Sequence, residues 1–191
     1  TALTNLHTTD NNSLNSIDAS GCVALDSLSC YFTPLTSIDV SGCLALTYLS
    51  CDFNQISSLD ISNNTALNVL RCGSNQIPSL DVSQNTALEG LHCGGNLLTS
   101  LDVSNIATLS SLSCNSNNLF CLNVANGNNT NMPSFSASSN PNLSCIEVDD
   151  ENYSLLNWTD IDNGVTFSTD CNNTCSAICV NDTIINDTTT N

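Results

Sequence analysis

One unit of 21 residues repeats along most of this chain without gaps. The stretch ALTYLSCDFNQISSLDISNNT at residues 45–65 returns at residues 66–86 and 87–107, and a similar unit precedes it at residues 24–44. A variant coil follows, and the period lengthens at residues 120–132. A fixed period of this length, with Leu and Asn at constant positions, predicts a solenoid. Its stacked coils bury a continuous core that one coil could not bury alone.

Each unit divides into two similar halves, which together read LxxLxCxxNxLxxLDVSxNxx. Leu46, Leu49 and Cys51 carry the first half of one unit, and Ile56 and Leu59 carry the second half. Each half contains a short alternation of apolar and polar residues, which is the pattern of one short strand. The sequence therefore predicts an all-β solenoid with two short parallel strands per 21-residue coil. This two-sided β-solenoid has about seven coils and a C-terminal cap.

Stacking places equivalent residues of successive coils in columns about 4.8 Å apart. One inward column takes a Leu-like position and consists of Cys30, Cys51, Cys72, Cys93 and Cys114. We expect these ladder cysteines to be buried free thiols that act as small apolar side chains rather than as a metal or redox stack. A second column is expected to hydrogen-bond the backbone of neighbouring coils, which would otherwise be unsatisfied. It consists of Asn54, Asn75, Asn96 and Asn117.

The unit resembles the IRREKO class of leucine-rich repeats, whose consensus also accepts Cys at the third apolar position. The resemblance spans residues 2–148 and implies the leucine-rich repeat fold. The segment NPNLSCIEVDDENYSLLNWTDIDNGVTFSTDC, which ends at Cys171, is similar to the terminal cap of secreted leucine-rich repeat proteins of Bacteroidetes. That similarity implies that Cys145 pairs with Cys171 and that Trp158 closes the core. Cys121 stands where that pattern has Ser, and it competes for Cys145.

The chain is expected to form a single domain at residues 1–171, followed by a Cys/Thr/Asn-rich tail at residues 172–191. Within the domain, residues 1–132 hold the repeat coils and residues 133–171 hold the last coil and the cap. The first coil begins on the repeat with no visible cap, so we expect its strand edge to be open to pairing. The β-branched stretch at residues 180–185 of the tail could supply a strand to such an edge. These features predict self-association, and the alternative is that a preceding domain of a longer protein caps the first coil.

Seven cysteines outside the ladder are disulfide candidates, which indicates an oxidising compartment. They are Cys22, Cys43, Cys121, Cys145, Cys171, Cys175 and Cys179. Cys22 and Cys43 hold one column in adjacent coils and form one candidate pair. Cys121 and Cys145 share another column, expected on the outer face of the second sheet. Because seven is odd, at least one thiol is expected to be free or intermolecular.

The charge of the chain excludes several classes of partner. One Arg, no Lys and eighteen acidic residues give a formal net charge of −17. This argues against nucleic acid, which needs cations to neutralise its phosphates, and against anionic membranes. No stretch is long and apolar enough to span a bilayer. The absence of a signal peptide and of an initiator Met indicates a mature or excised chain, and the Asn/Ser/Thr-rich composition suits an extracellular, secreted protein.

Outward positions of the first sheet vary from coil to coil, as expected of a recognition surface. Exposed aromatic side chains cluster there with the only Arg of the chain, and such clusters are frequent in binding sites. The candidate ligand-binding residues are Tyr31, Phe32, Tyr48, Phe53, Arg71 and His92. The competing interpretation is that these are incidental surface aromatics.

A column of carboxylates is expected on the outer face of the second sheet. It consists of Asp18, Asp39, Asp60, Asp81 and Asp102, with Ser on both sides of each. One interpretation is a strip that binds Ca²⁺ or a ligand, and the other is a solvated face. Like charges at the coil spacing repel, so we expect the carboxyl pKa values to be raised.

Glycosylation motifs are dense in this chain. Candidate N-linked sites are Asn63, Asn128, Asn142, Asn152, Asn157, Asn172, Asn181 and Asn186. The Asp-Ser/Thr-apolar pattern at Ser27, Thr183 and Thr188 resembles the O-glycosylation pattern of Bacteroidetes.

Catalysis has little support in the sequence. Only His7 and His92 would titrate near neutral pH, they lie four coils apart, and no phosphate loop or metal motif is present. No cofactor is expected, apart from Ca²⁺ at the carboxylate column. We therefore expect a non-enzymatic extracellular structural or adhesion module that self-assembles into surface fibres. The alternatives are a recognition domain that binds a glycan or protein through the first sheet, and an accessory region of a larger secreted enzyme.

Overall fold

The computed structural model describes residues 2–171, which form a parallel β-solenoid of about eight turns. Thirteen strands of three residues each lie in this part of the chain. They are β1 (Asn5–His7), β2 (Ser16–Asp18), β3 (Ser27–Ser29), β4 (Ser37–Asp39), β5 (Tyr48–Ser50), β6 (Val69–Arg71), β7 (Gly90–His92), β8 (Ser100–Asp102), β9 (Ser111–Ser113), β10 (Cys121–Asn123), β11 (Ser134–Ser136), β12 (Cys145–Glu147) and β13 (Thr166–Ser168).

The first sheet has seven parallel strands in the order β1-β3-β5-β6-β7-β9-β11. Each strand pairs with the next coil in the register that the period predicts, so that Leu49 lies between Leu28 and Leu70. The second side of the solenoid contains two sheets, β2-β4 and β13-β12-β10-β8. Between them, residues 58–60 and 79–81 form no strand, although Leu59 and Leu80 are as buried as their equivalents in the neighbouring coils. In these two coils the second predicted strand is therefore absent, although its leucine packs in the core as predicted.

The predicted inward columns form the core. All five ladder cysteines are completely buried, form no disulfide and belong to the same apolar core as the leucines of both sheets. Burial raises the pKa of Cys30 and of Cys93 to about 12, so these thiols stay neutral in the folded chain. The prediction of buried free thiols is confirmed.

The asparagine column hydrogen-bonds the backbone of adjacent coils, as predicted. Asn96 is representative: its Nδ2 donates to the carbonyl oxygens of Cys72 and Cys93 at 2.9 and 3.0 Å. Its Oδ1 accepts the backbone N–H of Ile77 at 3.0 Å. A second column at Asn64 and Asn85 serves the other side of the solenoid in a similar way.

The C-terminal end of the described chain is covered by a cap that contains the one α-helix of residues 2–171, α1 (Glu151–Asn157). Trp158 follows this helix, is 2% exposed and stacks on Phe135 with ring centroids 4.1 Å apart. Its Nε1 donates to the Met132 carbonyl at 3.0 Å. Trp158 therefore closes the core as the resemblance implies, whereas the helix itself departs from a purely β description.

The structure decides the disulfide pairing. Cys145 bonds to Cys171 across a Cα–Cα distance of 5.8 Å, as the resemblance implies. Cys121 is disulfide-bonded and buried, so it does not compete for Cys145 and does not lie on an open surface.

The candidate pair Cys22–Cys43 is wrong, because both thiols are free. Cys43 lies in the second asparagine column, where its Sγ–H donates to the Ala19 carbonyl at 3.2 Å. It thereby satisfies the carbonyl that an asparagine serves in the next coils, instead of forming a bond with Cys22. Cys175 and Cys179 lie outside the described residues.

Candidate functional site

The strand-to-turn corner of the first sheet requires a left-handed backbone in every coil. The residues at this corner have positive φ and are Asp10, Phe32, Phe53, Ser74, Gly95, Ser116 and Ser139. Small or polar residues fill most of these positions, as expected for left-handed backbone. Phe32 and Phe53 adopt φ of 52° and 56°, which is rare for a bulky side chain. The fold requires the backbone shape here but not the aromatic rings.

The two phenylalanines form an exposed stack. Their ring centroids lie 4.4 Å apart with an interplanar angle of 6°, and each side chain is 52% exposed. Tyr31 meets the edge of Phe32 at 5.8 Å. The spacing of the stack follows the spacing of the coils, so the rings lie one above the other along the solenoid.

Arg71 lies beside this stack in the middle of the first sheet. Its Nε is 3.5 Å from Oδ2 of Asp52, and the Arg71 side chain is 47% exposed. Asp52 also accepts the backbone N–H of Gly73 at 2.6 Å and the Ser50 hydroxyl at 3.3 Å. These three donors hold the carboxylate in place, and the terminal guanidinium nitrogens have no partner within residues 2–171.

His92 is the neighbour of Arg71 on the next strand. Burial and the positive charge of Arg71 lower the pKa of His92, while Asp52 acts weakly in the opposite direction. His92 is therefore neutral at physiological pH. It offers the surface one ring N–H donor and one ring nitrogen acceptor.

Two depressions meet along this face. The first, of about 270 Å³, is lined by the aromatic side chains together with Asp52 and Arg71. The second, of about 330 Å³, shares Asp52, Phe53 and Arg71 with the first and continues over Gly73, Gly94 and Gly95 towards Asn115. We call the two together the first-sheet groove.

The structure brings all six predicted ligand residues into the first-sheet groove. Tyr31, Phe32 and Tyr48 line the first depression only, His92 lines the second, and Phe53 and Arg71 line both. Their role in binding a ligand stays a prediction.

Sequence reasoning missed the other residues that line the groove, which are Ser50, Asp52, Gly73, Ser74, Gly94, Gly95, Ser113, Asn115 and Ser116. The sequence did contain one signal for Asp52. It directly precedes Phe53, and it stands one coil before Gly73, which follows Arg71 by two residues.

The carboxylate column is arranged for turn formation. Each carboxylate accepts the backbone N–H of the Ser two residues later, at 2.8 to 3.0 Å. The Ser20 hydroxyl and then its backbone N–H lower the pKa of Asp18, and the Ser62 backbone N–H and then its hydroxyl lower the pKa of Asp60, so the expected rise is wrong for these two residues. Local hydrogen bonds to the charged form outweigh screened repulsion on an exposed face. No group of three potential metal ligands forms within residues 2–171.

Most candidate glycosylation sites in the described chain are accessible. Asn63, Asn142, Asn152 and Asn157 are exposed. Asn128 is half-buried, and its Nδ2 donates to the Leu109 carbonyl at 3.0 Å, so a glycan there would need to break this bond. Ser27 is half-buried on β3. The remaining candidates, Asn172, Asn181, Asn186, Thr183 and Thr188, lie outside the described residues.

The two histidines of the chain lie far apart. His7 lies on β1 and His92 on β7, with three strands of the first sheet between them, so the fold does not assemble them into one site. Within residues 2–171, no helix has the length and apolar character needed to cross a membrane.

The stacked parallel strands and the thin core, whose buried leucines repeat with the 21-residue period, define a leucine-rich repeat solenoid. Solved structures with this fold include an internalin of Listeria monocytogenes, inlF, with 21% identity and a TM-score of 0.56. The match covers 78% of this chain and 44% of that one. A leucine-rich repeat protein of Leptospira interrogans has 18% identity and a TM-score of 0.53, over 84% of this chain and 54% of that one.

The functional domain of InlJ from Listeria monocytogenes, described as including a cysteine ladder, has 24% identity and a TM-score of 0.48 over 75% of this chain and 44% of that one. This chain thus spans about half the length of the structures that it resembles. At these identities the likeness concerns the fold. No protein-family model and no curated protein matches the sequence.

Proposed function

We propose that this chain is a non-enzymatic extracellular recognition or adhesion module that binds its partner through the first-sheet groove. The observation that carries the proposal is the exposed Phe32–Phe53 stack beside the Arg71–Asp52 pair. Aromatic side chains and Arg are the residue types that contribute most to binding energy in interfaces. The first-sheet groove is the place where the chain concentrates them.

The cost of the phenylalanine pair supports a role beyond folding. A left-handed backbone at a bulky residue costs about 1–2 kcal/mol, and the equivalent positions of other coils hold Asp, Ser or Gly. Stacking of the two rings recovers about 0.5–1.5 kcal/mol in addition to what their partial burial contributes. The pair thus combines a strained backbone with exposed apolar surface, which is the pattern of a functional site.

The extracellular placement is part of the proposal. It is supported by the Cys145–Cys171 disulfide, which persists in oxidising compartments, and by the exposed sequons of the described chain. The net charge of −17 disfavours nucleic acids and anionic membranes as partners.

The test replaces three groove residues by the serine that other coils carry at the same column. Tyr48→Ser, Phe53→Ser and Arg71→Ser together reproduce Ser27, Ser74 and Ser50, so the triple variant should fold. Wild type and variant are compared for binding to arrays of extracellular matrix proteins and of glycans. We expect saturable binding by the wild type and its loss in the variant.

The control variant carries Leu44→Ser and Leu97→Ser, two apolar side chains that are 59% and 48% exposed and lie outside the groove. It should bind as the wild type does. If the triple variant retains full affinity, the binding surface lies elsewhere, and the carboxylate column is then the next candidate.

Self-association into fibres is the second candidate function. Within the described residues β1 pairs with β3 alone, and we propose that a strand of another molecule pairs with its other edge. The proposal takes that strand from the tail at residues 172–191, which lies outside the described residues, because its sequence is β-branched at residues 180–185. Sizing of the whole chain and of a version ending at Cys171, with and without reductant, tests this. Polymers of the whole chain that are lost on truncation would support tail-mediated assembly, and monomers of both versions at high concentration would refute it.

An accessory role in a larger secreted enzyme is compatible with a chain that spans about half the length of its structural neighbours. It would place the same groove beside a catalytic domain. The observation that would favour it is a longer native protein in which these coils adjoin such a domain.

A further inference from the structure

We infer that the first-sheet groove binds an uncharged oligosaccharide. This inference rests on the proposed function and specifies its ligand class. It is drawn from the aromatic stack, the glycine floor, the mixture of hydrogen-bonding groups and the charge of the chain.

The stack ends where the second depression begins. Phe32 and Phe53 occupy the left-handed corner in two successive coils, and the next two coils have Ser74 and Gly95 there. Phe53 borders the second depression together with Ser74 and Gly95. A flat ring placed over Ser74 would therefore continue the stack at the coil spacing. A pyranose ring suits this position, because the C–H groups on one of its faces form an apolar surface that packs on an aromatic ring.

Glycine residues form the floor of the second depression. Gly73 and Gly94 stand at a column that carries Tyr31, Asp52 and Asn115 in other coils. A Cβ on Gly94 would lie 2.6 Å from Oδ1 of Asn115, and a Cβ on Gly73 would lie 3.2 Å from Oδ1 of Asp52. The two glycines therefore leave room for the Asn115 amide and the Asp52 carboxylate, which are the polar groups that a ligand would meet at this floor.

The polar groups match the donors and acceptors of sugar hydroxyls. The terminal nitrogens of Arg71 are donors without a partner in the described chain, and the neutral His92 offers both a donor and an acceptor. Asp52 presents a carboxylate fixed by three donors, and Asn115 presents an amide at the far end. A hydroxyl group both donates and accepts, so it can pair with each of these groups, whereas an anion can pair only with the donors.

Charge and size separate this ligand from the alternatives. The single Arg is already engaged by Asp52, and the chain carries a net charge of −17, so sulfated, sialylated or uronic sugars would be repelled. A protein partner would need about 800 Å² of surface on this side of the interface. Depressions of about 330 and 270 Å³ have the dimensions of small-ligand sites.

The test uses the whole chain and an array of short neutral oligosaccharides of glucose, galactose, mannose and N-acetylglucosamine, beside sialylated and sulfated counterparts. We expect saturable binding to neutral members only. Phe53→Ser and Arg71→Ser should each weaken it about tenfold or more, as the loss of a stacked ring or of a charge-assisted hydrogen bond would. Leu44→Ser and Leu97→Ser should leave it unchanged.

A further variant fills the proposed sugar position. Ser74→Phe extends the aromatic stack by one coil at a corner that already accepts Phe in two coils, so the chain should fold and its neutral-sugar binding should be lost. Thermal melting of each variant confirms folding. Sugar binding that survives Ser74→Phe would overturn the placement of the ring.

The outcomes distinguish the inference from the proposed function. Binding to sulfated or sialylated sugars at least as strong as to neutral ones would overturn the inference. Absence of all sugar binding, with matrix-protein binding that is lost in Phe53→Ser and Arg71→Ser, would overturn the inference and leave the proposed function standing. If these two variants change no binding at all, both fail.

Discussion

At the residue scale, the buried asparagines hold neighbouring coils together. Asn96 donates to carbonyls of two coils and accepts one N–H, so a single amide satisfies three backbone groups that water cannot reach. Thr33 stands at the same position one coil before Asn54, and its hydroxyl donates to the carbonyl oxygens of Cys30 and Thr8. The position therefore requires a side chain long enough to hydrogen-bond backbone groups of two coils, and it accepts more than one residue type.

Removing one of these amides should be costly. Asn96→Ala leaves the carbonyls of Cys72 and Cys93 and the N–H of Ile77 short of a partner, at about 1–3 kcal/mol for a buried unsatisfied group. We expect a loss of about 2–3 kcal/mol in the free energy of unfolding, measured by urea denaturation. The exposed Asn63→Ala is the control and should change it by less than about 0.5 kcal/mol. Equal effects of the two variants would contradict this role.

At Asp18 and Asp60, hydrogen bonds from the serine two residues later lower the pKa of the carboxyl group. The hydroxyl of Ser20 donates to Asp18 at 2.6 Å and is the main cause of its lowered pKa, followed by the Ser20 backbone N–H. At Asp60 the order is reversed, and the backbone N–H of Ser62 dominates. The two residues thus share a motif but depend on different donors.

We expect Ser20→Ala to raise the pKa of Asp18 more than Ser62→Ala raises the pKa of Asp60, as followed by NMR titration of the carboxyl carbons. Because folding lowers both pKa values, each carboxylate stabilises the fold above its unfolded pKa of about 3.9. That contribution disappears as pH falls through the lower folded value. Equal shifts in both variants would contradict the assignment of the dominant donor.

At the scale of elements, the ladder joins five coils through a column of neutral thiols. Burial raises the pKa of Cys51, Cys72 and Cys114 as well as those of Cys30 and Cys93. Because the fold disfavours the thiolate, the neutral ladder thiols stabilise the folded chain relative to the unfolded chain at high pH less than at low pH. Their contribution to stability is complete below the unfolded pKa of about 8.5. It is lost as pH rises towards the folded values, which reach about 12 for Cys30 and Cys93.

Alkylation separates the ladder from the half-buried Cys22. We expect iodoacetamide at neutral pH to modify Cys22 in the native chain and to leave the ladder unmodified, because thiolate and access are both needed. After denaturation in guanidinium chloride all seven free thiols of the described chain, Cys43 included, should react, as shown by site-resolved mass spectrometry. Rapid native labelling of Cys72 would sink this view of the ladder.

At the scale of the whole molecule, the net charge of −17 acts on a rod with a column of carboxylates. Repulsion between exposed charges is screened by salt, with a Debye length that falls from about 30 Å at 0.01 M to about 8 Å at 0.15 M. The melting temperature should therefore rise as sodium chloride is added over this range.

Calcium gives a separate test of the carboxylate column. If the column only forms turns, Ca²⁺ should raise the melting temperature no more than an equal ionic strength of sodium chloride does. A further rise with Ca²⁺, lost in Asp60→Asn combined with Asp81→Asn, would instead establish a cation site there.

The periodicity predicted the parts of this molecule that repeat. A period of 21 residues is a translation along the solenoid, so residues at the same offset must share a column and a side. The inward thiols, the asparagine bonds and the outward Asp column followed from that geometry. The gathering of the six aromatic and basic residues into one groove followed as well, since they lie on neighbouring coils.

Tertiary structure decided what the period does not repeat. The pairing of Cys145 with Cys171 rather than with Cys121, the free state of Cys43 and the helix of the cap depend on contacts that occur once. The lowered pKa values of Asp18 and Asp60 depend on hydrogen-bond directions within a turn. Offsets in a sequence place side chains in columns. Hydrogen bonds, disulfides and pKa values depend on differences of a few tenths of an ångström between atoms, and only the folded chain defines these.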